Sequence, residues 1–74
     1  MITKKQLLDE YALACYAVVE LTKIIETDET HRDSWLAMLV KRDTLGELLK
    51  RYFDTSEKEF QHILDLANNA NYHL

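Results

Sequence analysis

The sequence predicts an all-α fold: an antiparallel hairpin of two long helices with a short third helix packed against it, a small helical bundle. Three observations carry that expectation. The 74 residues contain one glycine and no proline, so little interrupts a helix. Apolar residues recur at helical spacing in three successive segments. Two capping-box spacings, Thr3 with Gln6 and Ser56 with Glu59, mark helix starts.

The first helix is expected over about residues 4–26. Its body, Leu7 to Ile25, carries charge only at Asp9, Glu10, Glu20 and Lys23. Leu7, Tyr11, Ala14, Val18, Leu21 and Ile25 form one stripe at 4-3-4-3-4 spacing, suited to the second helix. Leu8, Ala12, Cys15 and Val19 border it and suit the third. Leu13, Ala17 and Ile24 make a further stripe that no fourth helix exists to cover. The expected cover is a second copy of the chain: a homodimer with Leu13, Ala17 and Ile24 in its interface, Ala17 letting two first helices approach.

The polar run TDETHRD is the first connection. Asp28, Glu29 and His31 could hold a cation, but acids at the start of the next helix are the simpler reading, with Thr30 or Asp28 as the cap. The second helix is expected over about residues 32–53. Trp35, Met38, Leu39, Leu45, Leu49, Tyr52 and Phe53 share its apolar sector, and Glu47 and Arg51 form an i,i+4 pair outside it. Arg42 projects into that sector. It either meets a partner across an interface or lies along the surface with its guanidinium in water. Gly46 sits at the sector's edge, where close helix packing explains it. Leu36 and Val40 face the polar side and, with Arg42, are the candidate partner-binding residues. A hairpin centred near Glu29 puts Arg42 close to Tyr16 and Val18, and Trp35 close to Lys23.

After a break at Asp54–Ser56, the third helix is expected over about residues 57–70, with Phe60, Ile63, Leu64, Ala67 and Leu74 as its apolar face. No linker or repeat divides the chain, which reads as a single domain, 1–74.

Charge and composition narrow the function. A net charge of −4 and a pI near 5.2 oppose general binding to nucleic acid or an acidic membrane. The nine uncharged residues from Tyr11 to Val19 fall far short of the roughly 20 that span a bilayer. MITKK is followed by Asp9 and Glu10, which break any signal-peptide core, so a cytoplasmic protein is expected. Cys15 alone makes no internal disulfide, and with scattered His31, His62 and His73 it makes no zinc site. Catalytic triads, Cys–His pairs and glycine-rich phosphate loops are missing, so neither an enzyme nor a cofactor is expected.

Two functions survive. Excess apolar surface on rigid, acidic helices suits a protein–protein interaction module: a regulator, adaptor or inhibitor of a larger protein, of the kind mobile-element and phage genomes encode. The alternative rests on residues 44–64, TLGELLKRYFDTSEKEFQHIL. Their pattern TLxELxxxY…SExxxxxxI resembles the helix-turn-helix of bacterial transcriptional regulators, with one extra residue in the turn and Phe53 where the turn glycine stands. The resemblance implies Leu48, Tyr52, Phe60 and Ile63 as core positions. It also implies that Gln61 and His62 reach base edges while Lys50 and Arg51 hold phosphates.

Overall fold

A computed structural model describes residues 1–69. Three helices make up the fold: α1 (Lys4–Ile25), α2 (Arg32–Tyr52) and α3 (Glu57–Asn68), with a single 3-10 turn at Glu29–His31 leading into α2. It is the expected all-α hairpin of two long helices with a short third. The third helix closes at Asn68, short of the expected end near residue 70; residue 70 and Leu74 lie outside the described residues.

Both capping boxes form as their spacing requires. The Thr3 hydroxyl accepts from the Gln6 amide while the Gln6 side chain accepts from the Thr3 amide. Ser56 and Glu59 repeat the exchange at the start of α3. Each box satisfies amides that a helix start leaves without intrahelical partners. At the other end of α1 the Ile24 carbonyl accepts from the Thr27 and Asp28 amides, which stops the helix at Ile25. The polar connection is not wholly irregular: the Asp28 carboxylate accepts from the Thr30 amide and hydroxyl and caps the 3-10 turn. The two Thr30 hydrogen bonds, the hydroxyl first, hold that carboxyl below its usual range.

α1 is the shared element, with α2 packed along one flank and α3 along the other. The core joins Leu7, Tyr11 and Cys15 of α1 to Leu49 of α2 and to Phe60 and Ala67 of α3. Tyr11 bridges both neighbours, its ring edge-on to Phe60 with centroids 5.2 Å apart. Ion pairs tie the flanks: Lys41 to Glu10 at 3.1 Å, and Lys4 to Glu59 at 3.1 Å. The Trp35 indole donates to the Thr22 hydroxyl at 3.0 Å, one residue from the expected neighbour Lys23. That hydroxyl donates in turn to the Val18 carbonyl, so the end of the hairpin next to its connection is fastened by a polar relay.

Tyr52 departs from expectation. The apolar sector of α2 includes it, which predicts burial, yet it is 67% exposed. α2 turns the edge holding Leu45 and Leu49 toward the core, and Tyr52, seven residues after Leu45 at the very end of α2, borders that edge without joining the core.

The turn into α3 bends sharply. Asp54 takes the left-handed conformation at φ 48°, tolerable for a short polar side chain. Thr55 is buried, and its hydroxyl oxygen has no hydrogen-bond partner among the described residues. A buried hydroxyl without a partner is a standing cost. Thr55→Val keeps the shape and removes the hydroxyl, so it is expected to raise stability by about 1 kcal/mol. A lower urea midpoint for the variant would contradict this.

Candidate functional site

Apart from Met1 and Ile2 ahead of α1, the least covered apolar surface among the described residues runs along the outside of α2. Leu36, Val40, Leu48 and Tyr52 are 45%, 65%, 37% and 67% exposed. With Thr44 between them they succeed one another at intervals of four, which makes one ridge winding across the helix. Sequence reasoning identified Leu36 and Val40, placed Tyr52 in the apolar sector of α2, and gave Leu48 a core role only through the helix-turn-helix resemblance. The signal was present in the unbroken i,i+4 series through Thr44. Beside the ridge lies an open depression of about 500 Å³ lined by Thr44, Glu47, Leu48, Arg51 and Tyr52.

The expected dimer stripe on α1 is less exposed. Leu13 and Ala17 are half-buried and Ile24 is 39% exposed. Glu10 and Glu20 flank this stripe, paired with Lys41 and Lys23 respectively.

Arg42 does not share that outer surface with Leu36 and Val40. It stands between α2 and α3 over the α1 surface, lining two adjoining hollows of about 430 and 360 Å³. Its side chain is 28% exposed, and its ion pair is with the neighbouring Asp43 at 3.5 Å. Val18 lies near it as expected, with Tyr11 and Cys15. This is the snorkelling arrangement: the aliphatic stem covers the core while the guanidinium reaches water.

Gly46 meets the same α1 surface. A Cβ there would lie 3.4 Å from Tyr11 Cε2, an ordinary contact distance. Gly46→Ala therefore fits and should raise stability by about 0.5–1 kcal/mol through its better helix propensity. A fall of that size in a denaturant titration would show that Tyr11 cannot yield.

Tyr11 and Cys15 carry the perturbed titrations under this hollow. Burial pushes the Tyr11 phenol up to about 12, with the neighbouring Cys15 adding to the rise. Burial also pushes the Cys15 thiol up. A buried thiol held protonated is a poor nucleophile, so Cys15 acts as a core residue. The sign for stability follows from linkage. The fold favours the protonated phenol, so its contribution is complete below pH 10 and is lost as pH rises toward 12. Two pKa units correspond to a loss of about 2–3 kcal/mol. Tyr11→Phe should flatten this alkaline limb, which urea midpoints between pH 9 and 12 will show.

The residues of the helix-turn-helix alternative are occupied by acids. Lys50 pairs with Glu57 at 3.8 Å and lies 5.6 Å above the Phe60 ring. Arg51 pairs with Glu47 at 3.9 Å, and the Gln61 amide donates to Asp65 at 2.9 Å. His62 is exposed beside Asp9 and Glu59 at an apolar hollow of about 300 Å³. Two implied core positions, Leu48 and Tyr52, are exposed. The cause is that α3 packs on α1 rather than closing over the end of α2.

Among the described residues no group of three or more His, Cys, Asp or Glu side chains could hold a metal ion, and no helix is long and apolar enough to cross a membrane. No family model, curated protein or solved structure matches the chain.

Proposed function

We propose that this protein is a small acidic helical interaction module, working in the cytoplasm, that binds a larger protein as its regulator, adaptor or inhibitor. One observation carries the reading: the ridge Leu36–Val40–Leu48–Tyr52 stays uncovered in a chain of 74 residues. Burying apolar surface is worth about 25 cal/mol per Å², and a domain this small has little core to substitute for it. Large exposed apolar side chains in register on one helix suit insertion of that helix into a groove on a partner. The acidic exterior supports the same reading, since it favours a basic surface around such a groove.

The test places a photo-activated cross-linking residue at Val40 in the native cell and identifies the captured proteins. One dominant adduct, lost when Leu36 or Tyr52 is also changed to Glu, supports the reading. Adducts spread evenly over abundant proteins, unchanged by those substitutions, would retire it.

A further inference from the structure

We infer that this chain dimerises by exchanging α3: the turn at residues 53–56 opens, and the α3 of each copy docks on α1 of the other. Three observations meet at that turn. Asp54 holds a left-handed φ of 48°, a conformation that costs any residue but glycine. Thr55 beside it is buried, with its hydroxyl unpartnered among the described residues. α3 packs on α1 and makes no close backbone approach to α2. The turn contains neither glycine nor proline, and helical bonding already reaches Phe53, whose amide donates to the Leu49 carbonyl at 3.1 Å. Only residues 54–56 then separate α2 from α3. Winding them into helix joins the two into one rod from Arg32 to Asn68. Asp54 returns to a right-handed conformation, and Thr55 leaves its buried turn. The amides of Ser56 and Glu59, held in the closed turn by a capping box, find carbonyl partners one turn earlier in the rod.

A lone chain cannot keep the rod. α3 runs parallel to α1, with Glu59 beside Lys4 at one end and Ala67 beside Cys15 and Val18 at the other. It is therefore antiparallel to α2, and straightening the turn points it away from its own α1. That uncovers Tyr11 and Cys15, where Phe60 and Ala67 complete the core. A second copy opened in the same way supplies what is missing. Its Phe60 meets Tyr11, its Glu59 meets Lys4, and the exchange is reciprocal. The surface that receives the second copy is the one α3 covers in the closed chain, so its fit is already on view. The α1–α3 contacts are kept while both copies shed the unfavourable turn, and the two-fold arrangement closes on itself. What opposes exchange is the freedom lost when two molecules become one. Short turns under strain are where such exchange arises.

The experiment refolds an equal mixture of isotopically heavy and light protein at up to about 1 mM, the order of the effective concentration at which α3 meets its own α1. Monomer and dimer are separated by size. Each is treated with a carbodiimide, which joins the Lys4 ammonium to the Glu59 carboxylate, 3.1 Å apart, as an amide and takes up the water released. In the dimer, linked Lys4–Glu59 peptides should include pairs of one heavy and one light partner; in the monomer they should not. Asp54→Ala disfavours the closed turn and favours the rod, so it should tighten the dimer by about tenfold, because each dimer opens two turns. Asp54→Gly accepts the left-handed conformation freely and should weaken the dimer by about as much. Thr55→Val, which removes the buried unpaired hydroxyl, should weaken it too. All three variants should keep wild-type helicity by circular dichroism. A wild-type protein that stays monomeric at that concentration overturns the inference. So does a dimer whose Lys4–Glu59 links join only like-labelled peptides, or one whose affinity is indifferent to residue 54.

Discussion

Leu49→Ala is expected to remove most of the stability of this protein, with a loss of about 2–5 kcal/mol. Leu49 is completely buried and is the only buried residue of α2. It packs where Tyr11 and Cys15 of α1 meet Phe60 of α3, so its side chain serves both interfaces. Its carbonyl has a second task, accepting from the amides of Phe53 at 3.1 Å and Thr55 at 3.3 Å, which shapes the turn into α3. Truncation leaves that backbone arrangement intact and opens a cavity between three helices. A domain of this length has roughly 4–11 kcal/mol in all. Urea unfolding should therefore show a midpoint collapsed toward zero denaturant at 25 °C. Leu45→Ala, at a partly buried position on the same edge, should cost less. Equal costs at the two positions would mean that the core is not centred on Leu49.

The helices were legible because their signals are local. Capping boxes at Thr3 and Ser56, a glycine-poor sequence and 3.6-residue periodicity act within one or two turns, and the observed helices start at the expected residues. The placement of α3 was legible in part, since Leu8, Cys15 and Val19 were free to face it once α2 took the neighbouring stripe. What the sequence concealed was rotation about the α2 axis. Its apolar sector spans too wide an arc for one narrow partner, and Tyr52 at one rim and Leu39 at the other compete for cover. α1 takes the arc of Leu45 and Leu49, which leaves Tyr52 and Leu48 outside and assembles the ridge with Val40 and Leu36. The candidate site was thus half visible: Leu36 and Val40 stood out on a polar face, Tyr52 looked like core, and Leu48 had a core role only in the helix-turn-helix resemblance. Arg42 was ambiguous for the same reason. Its position between α2 and α3 depends on where α3 docks, which no local pattern specifies.

Phe60→Ala is expected to cost about 3–5 kcal/mol, and to do so by releasing α3. α3 has 12 residues, a length at which an isolated helix is marginal in water. Its capping box and the Lys4–Glu59 pair hold its first turn, but an ion pair in contact with solvent is screened and contributes little. The docking energy comes instead from the apolar face. Phe60, 5% exposed, stands edge-on to Tyr11 and under the Lys50 ammonium, and Ala67 is the other buried residue of the helix. Removing the ring leaves Ile63 and Leu64, only partly buried, to hold the helix against α1. α1 and α2 retain Leu7, Tyr11 and Leu49 in mutual contact, together with the Trp35–Thr22 and Lys41–Glu10 links. Loss of order should therefore begin in α3. Hydrogen exchange should show the amides of residues 60–68 losing protection before those of α1 and α2, alongside a lowered urea midpoint. Uniform loss of protection across all three helices would show that the hairpin cannot stand without the α3 ring, and a midpoint shift worth less than about 1 kcal/mol would place the docking energy in Ile63, Leu64 and Ala67.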